Sequence, residues 1–206
     1  MLDNKGFDQW AGKYDDDIAK AKGYPFEGYY QVLAYVHSKV EKPQDKKVLD
    51  IGIGTGLLTE ELYKKGATIY GVDFSPKMIE EASTKMPNGK FYCCDITQGL
   101  CSELMEMKFN YIVSSYALHH LTDEEKIEFI NRLKELILPG GKIILADVAF
   151  EKFIDRENCQ KEVGEEWDSD EYYIVAESFI DMLKETGFKS RYTQISICGG
   201  VLELWV

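Results

Sequence analysis

The sequence predicts a single α/β domain whose mostly parallel, doubly wound sheet is covered by helices on both faces, and three observations carry that prediction. Its 206 residues are 45% hydrophobic and 13% aromatic, enough to bury a core without disulfide or metal support. From Lys47 onward, short β-rich apolar runs alternate with helical patterns, which is how crossover units and a buried parallel sheet appear in sequence. The carboxyl terminus breaks the alternation with two β-rich segments around Gly199-Gly200. The sheet should therefore end in an antiparallel pair.

Taken in order, residues 7–20 and 29–41 read as helices joined across Gly23-Tyr24-Pro25-Phe26, placed to form a lid over the carboxyl ends of the strands. The strand runs are 47–51, 68–72, 90–93, 111–114 and 142–148. Ser75 followed by Pro76 offers an N-cap and a first-turn proline, and Thr122-Asp123-Glu124-Glu125 has the spacing of a capping box. In the helix that follows, Ile127, Ile130, Leu133 and Ile137 recur on one face, and Pro139-Gly140-Gly141 ends it. A last helix from about Ala176 ends at Gly187, and strands 188–197 and 201–206 flank the glycine pair, which is read as the hairpin turn because glycine tolerates positive φ.

Composition excludes several classes. No apolar run approaches the roughly 18 residues needed to cross a bilayer, so no membrane association is expected. Residues 1–17 lack a cationic stretch followed by an apolar one, and a cytoplasmic protein is expected. Cys93, Cys94, Cys101, Cys159 and Cys198 form an odd set without a CxxC pair, which argues against a disulfide framework or a structural zinc site and for buried, reduced thiols. No metal-ligand set is assigned. A net charge of −12 opposes binding to nucleic acid, where phosphate neutralisation supplies most of the affinity. A small-molecule partner fits better.

The chemistry concentrates after the first strand. Val48-Leu49-Asp50-Ile51-Gly52-Ile53-Gly54-Thr55-Gly56 runs from strand into a glycine loop, with residues 57–65 read as the next helix. Glycines let the backbone approach a ligand, and a helix start offers N–H groups and a positive dipole end to an anion. The pattern is GxGxG, with Leu57 where the dinucleotide fingerprint has Gly or Ala. A smaller anion than pyrophosphate is implied. Asp73 ends the second strand about 20 residues on, where a carboxylate can accept from both ribose hydroxyls. Asp95 follows the third strand and can accept from an adenine amino group.

These segments together resemble the class I S-adenosylmethionine (SAM)-dependent methyltransferases, especially small bacterial enzymes similar to quinone-biosynthesis methyltransferases. The resemblance rests on Val48 to Gly56, Gly71-Val72-Asp73-Phe74-Ser75 with Met78, Cys94-Asp95-Ile96, the fourth-strand stretch 109–121 and Leu138-Pro139-Gly140-Gly141. It implies a Rossmann-like, seven-stranded α/β sheet with an antiparallel last strand. It also implies that Asp50, Gly52, Gly54 and Gly56 lie along the methionine part of SAM, that Asp73 holds the ribose, and that Asp95 with Ile96 faces the adenine. Phe74 and Met78 would pack beside the base and Ser114 near the sulfonium. Trp10-Ala11-Gly12-Lys13-Tyr14-Asp15 is similar to the family's opening, in which the residue matching Tyr14 covers the cofactor. The chain then divides into a helical lid (1–42), a SAM-binding core (43–150), a variable substrate cover (151–175) and a carboxyl-terminal helix and hairpin (176–206).

The implied reaction is in-line methyl transfer to a small-molecule acceptor, with the protein holding donor and acceptor in place. Absence of an Asn/Asp-Pro-Pro-aromatic signature after the fourth strand disfavours amide methylation on nucleic acid. His119 and His120 stand where a general base could reach the acceptor and equally where packing would hold them; no base is assigned. Trp10, Tyr14, Tyr24, Phe26, Tyr29, Tyr30 and Tyr116 could wall an acceptor pocket or fill the core. The acidic run 165–171 is read as a solvated face; were it to face the pocket, a cationic or amine acceptor would follow. The alternatives are a SAM-binding sensor or partner without transferase activity and, below it, an NAD-dependent oxidoreductase.

Overall fold

The computed structural model describes residues 4–206, with the side chains of Asn4, Lys5 and Phe7 outside the description. The chain opens with α1 (Asn4–Trp10), α2 (Tyr14–Lys20) and α3 (Tyr29–Lys39). The predicted single helix over 7–20 is thus broken by a 3₁₀ turn at Ala11–Lys13. There follow β1 (Lys47–Ile51), α4 (Glu60–Lys64), β2 (Thr68–Asp73), α5 (Pro76–Lys85), β3 (Lys90–Cys93), α6 (Ser102–Met105), β4 (Phe109–Ser115), α7 (Asp123–Lys134) and β5 (Ile137–Phe150). The chain ends with α8 (Phe153–Val163), β6 (Ile174–Val175), α9 (Ala176–Lys184), β7 (Lys189–Gln194) and β8 (Gly199–Trp205).

Seven strands follow the order β3-β2-β1-β4-β5-β8-β7, and β6 adds a short parallel pairing beside the end of β5. All pairings on the path are parallel except those of β8, which runs antiparallel to both β5 and β7. Side chains alternate between two cores, as a sheet covered on both faces requires. From β5, Ile143 and Leu145 pack with Phe129, Ile130 and Leu133 of α7 and Phe179 and Leu183 of α9. Ile144 and Ala146 face the other way, toward Val32 and Val36 of α3 and Ala82 of α5.

The cap signals hold in detail. Ser75 Oγ accepts from the Met78 N–H at 3.1 Å with Pro76 in the first turn, and Thr122 and Glu125 close a reciprocal capping box. Helix α7 nevertheless stops at Lys134, so Ile137 and Pro139-Gly140-Gly141 lie inside β5 rather than at a helix end. The register of β4 against β5 shifts there, between Phe109 and Tyr111. A Cβ at Gly141 would stand 2.6 Å from the Asn110 carbonyl oxygen, so this glycine admits the neighbouring strand. The carboxyl-terminal glycines correct the sequence reading in the same way. Gly199 and Gly200 belong to β8, and the turn is 195–198. A Cβ at Gly200 would lie 2.2 Å from the Tyr192 hydroxyl oxygen, so this glycine lets the Tyr192 ring lie across β8.

The cysteines are all free, with Cys159 and Cys198 buried. Cys93 is exposed and Cys94 and Cys101 are only half-buried, so three of the five do not fit the buried-thiol expectation.

Candidate functional site

A cavity of about 560 Å³ opens beyond the carboxyl ends of β1, β2, β3 and β4, next to the point where the strand order reverses between β1 and β4. Open α/β sheets place ligands at that point because the loops diverge there. Of the residues singled out from sequence, Tyr14, Gly52, Gly54, Asp73, Phe74, Met78, Asp95 and Ile96 line it. Asp50, Gly56 and Ser114 do not.

The glycine loop is shaped by left-handed backbone at Gly52 (φ 68°), Gly54 (φ 54°) and Gly56 (φ 86°), conformations that disfavour any residue with a Cβ. At Gly52 a Cβ would meet the Ala117 methyl at 2.3 Å, whereas the space before Gly54 is open. This turn-rich backbone delays α4 to Glu60, three residues later than the glycine pattern suggests, and leaves it only five residues long. An anion here therefore meets the loop backbone rather than a helix start.

Asp73 is the centre of the arrangement. It is 7% exposed, and its two oxygens accept from the Gly54 N–H at 2.8 Å and the Ser75 N–H at 2.9 Å. Burial raises its pKa against the lowering effect of these bonds. Asp95 is positioned by Thr97, whose N–H and hydroxyl both donate to Oδ1, at 2.9 and 2.7 Å.

Behind the wall, Asp50 supports the loop: Oδ2 accepts from the Thr59 hydroxyl at 2.8 Å, while Oδ1 has no protein partner. Burial pushes its pKa up to about 8, against the Thr59 bond and with help from the charge of Asp73. Gly56 makes room for Met86 and Ala82 of the next layer. Ser114 donates to the Ile51 carbonyl at 2.8 Å, and Ser115, one step along the strand, faces the cavity instead. The period of two in a strand makes that one-residue difference decisive.

The amino-terminal segment covers the cavity through Tyr14 and Tyr29. It is tethered by Asp8, which accepts from the Ser75 hydroxyl at 2.6 Å, and by Asp15, which accepts from the Thr55 hydroxyl and pairs with Lys85. Tyr116 completes this wall at φ 51°, a left-handed conformation that costs a non-glycine residue about 1–3 kcal/mol and concentrates at functional sites. Its buried hydroxyl has no protein partner.

The β4–β5 end was not assembled by sequence reasoning. Here the His119 Nδ1 lies 2.6 Å from Asp147 Oδ1, and Asp147 Oδ2 accepts from the N–H groups of Leu118 and His119. Burial pulls the His119 pKa down, but the Asp147 carboxylate, aided by Glu171, outweighs it and the net shift is upward. Burial and the neighbouring His119 push His120 down to about 4. Glu171 departs from the solvated-face reading: its Oε1 is 3.5 Å from His119 Nε2 and its Oε2 accepts from the Tyr173 hydroxyl at 2.7 Å, whereas Glu165, Glu166 and Asp170 are exposed. No helix among the described residues is long and apolar enough to cross a membrane.

The profile of a family described as a methyltransferase domain matches residues 48–141. An uncharacterized methyltransferase of Geobacillus sp. (strain WCH70) is 34% identical, over 96% of this chain and 94% of its own length. Another, from Oceanobacillus iheyensis, is 40% identical over 70% of this chain and 66% of its own. Among solved structures, a DhpI-SAM-HEP complex superposes with a TM-score of 0.74 at 16% identity, covering 97% of this chain and 94% of that one. Magnesium protoporphyrin IX methyltransferase from Synechocystis PCC 6803 with bound SAH gives 0.66 at 24% identity, over 98% and 99%. These two likenesses show the fold.

Proposed function

The chain belongs to the class I SAM-dependent methyltransferase family, and on that premise we propose that it methylates a small-molecule acceptor bound in the same cavity. The observation that carries the placement of the cofactor is the buried Asp73 carboxylate, pinned by Gly54 and Ser75 at the mouth of the glycine loop. A carboxylate has roughly four acceptor sites, so capacity remains on Asp73 for ribose hydroxyls. Both contacts from Thr97 fall on Asp95 Oδ1, leaving Oδ2 for the adenine amino group, with Phe74, Met78 and Ile96 beside the base. Gly52 and Gly54 lie along the methionine part, and Tyr14 closes over it.

SAM would supply an electrophilic methyl on a sulfonium: an acceptor atom attacks the methyl carbon in line, the carbon–sulfur bond breaks, and S-adenosylhomocysteine leaves as the neutral thioether. The work left to the protein is positional. Tethering of the amino-terminal segment to Ser75, Thr55 and Lys85 holds Tyr14 and Tyr29 across the cavity, which excludes water and keeps the reactants in near-attack geometry. The orphaned hydroxyl of Tyr116 on the same wall offers a hydrogen bond to whatever occupies the acceptor end. Leu57 lines the cavity where a dinucleotide site has a small residue, which favours SAM over NAD. The net charge of −12 favours a metabolite over a nucleic acid.

Thermal denaturation with SAM, S-adenosylhomocysteine (SAH) and NAD tests this. Ligand at 100 times its dissociation constant adds about 2.7 kcal/mol, a rise of about 5–10 °C for a chain of this size. SAM and SAH should give that rise and NAD none; the reverse pattern overturns the reading. Incubation with methyl-labelled SAM and fractionated extract should then place the label in the small-molecule fraction.

A further inference from the structure

We propose that His119, His120 and Glu171 form a site for one divalent transition-metal ion of zinc-like preference, at the β4–β5 end of the cavity. Among the described residues, these three make up the group of His, Cys, Asp and Glu side chains whose ligand atoms all lie within 4.8 Å of one another. His119 Nε2 and Glu171 Oε1 are 3.5 Å apart, roughly the separation of two donors on a tetrahedral ion with bonds of about 2.0–2.1 Å. Two imidazoles and one carboxylate suit zinc and its neighbours, whereas magnesium and calcium take oxygen donors.

The outer contacts are those a metal site needs. A ligating histidine donates its second ring N–H to a carboxylate or carbonyl, which fixes the ring and turns the other nitrogen toward the ion. His119 Nδ1 meets Asp147 Oδ1 at 2.6 Å, and Asp147 is itself held by the N–H groups of Leu118, His119 and Val148. The direction of Nε2 is therefore set in advance. Glu171 is held the same way: the Tyr173 hydroxyl occupies Oε2 and leaves Oε1 toward His119, while the Tyr172 N–H donates to the His119 carbonyl at 2.8 Å and locks the two segments together.

Access exists from two sides. Glu171 belongs to the wall of a second cavity of about 440 Å³, and His120 to the wall of the larger one. Three protein ligands leave a fourth position for water or for a heteroatom of the acceptor. The rival arrangement is a His119 imidazolium held between Asp147 and Glu171 with no ion. It shares the Asp147 contact and differs in giving His120 no role as a donor.

Protein freed of metal with a chelator is titrated with Co²⁺ and then Zn²⁺. One equivalent of Co²⁺ should bind with visible ligand-field bands of a four- or five-coordinate ion, be displaced by Zn²⁺, and lack the thiolate charge-transfer absorption that binding at Cys93, Cys94 or Cys101 would bring. Glu171→Gln and His120→Ala should each weaken binding by at least about tenfold, and Glu171→Gln should keep the SAM-induced rise in melting temperature. Absence of binding, a thiolate spectrum, or affinity unchanged from wild type in both variants overturns the site. Metal binding by wild-type protein that shows no SAM shift supports the site and removes the cofactor reading instead, so the two fail separately.

Discussion

At the β1–β2 end of the cavity the shape is set by backbone: three left-handed glycines and two N–H groups hold Asp73, all within 52–75. At the β4–β5 end it is set by side chains from three separated segments, with His119 and His120 after β4, Asp147 on β5 and Glu171 before β6. The first end is local and satisfies its buried charge with backbone donors. The second adds side chains to backbone donors: Asp147 also holds the His119 ring, whose other nitrogen meets Glu171. Removing one member should therefore cost ligand affinity at the first end and stability at the second.

The largest expected effect is at Asp147. Truncation to alanine strips the acceptor from His119 Nδ1 and from three backbone N–H groups at once. Breaking a buried pair from one side costs about 3–5 kcal/mol, and urea unfolding of Asp147→Ala should show a loss of that size. Asp73→Asn should behave differently. The amide keeps an acceptor for one of the two backbone N–H groups and fills the same volume, so its loss of stability should be the smaller of the two. SAM affinity should fall at least tenfold, about 1.4 kcal/mol, by calorimetric titration. Equal stability losses in the two variants, or unchanged SAM affinity in Asp73→Asn, would erase the distinction between the ends.

The same difference explains what could be read from the sequence. Glycine spacing, the acid at the end of β2 and the caps at Ser75 and Thr122 are relations between neighbours in the chain, so the alternation of strands and helices and many residues of the cavity wall were legible. Glu171 was not, because nothing local separates it from Glu165, Glu166 and Asp170; only the fold turns it toward His119. Ser114 was misplaced against Ser115 because sequence does not fix which face of β4 meets the cavity. Ile137 matched the helical period but was taken by β5, where pairing with Phe109 outweighs one more helical turn.

A smaller effect, dependent on pH, belongs to Asp50 under the glycine loop. Its pKa is pushed up by burial to about 8 from an ordinary value of 3.8. Between those values the folded state binds more protons than the unfolded one, so this group makes stability fall as pH rises. Asp50→Asn removes that contribution. The unfolding free energy of the variant relative to wild type should climb through the window from about pH 4 to pH 8 and level off above it, measured by urea unfolding below, within and above that range. A constant difference would mean that Asp50 is ionised in the fold throughout.

The smallest effect should come from Asp170→Ala, and it sharpens the comparison because Asp170 and Glu171 are adjacent residues of equal charge. Asp170 is exposed, and its backbone N–H, which the substitution keeps, donates to Asp168 Oδ1 at 2.8 Å. An isolated exposed charge contributes little because water screens it, so stability should stay within about 0.5 kcal/mol and SAM affinity within about twofold. Glu171→Gln removes the same formal charge one residue further on, from an oxygen 3.5 Å from His119, and should weaken Co²⁺ binding at least about tenfold. If Asp170→Ala weakens Co²⁺ binding as much as Glu171→Gln, the effect lies in the net charge of the acidic run and not in the direction of one side chain. The β4–β5 end would then lose its claim to be a built site.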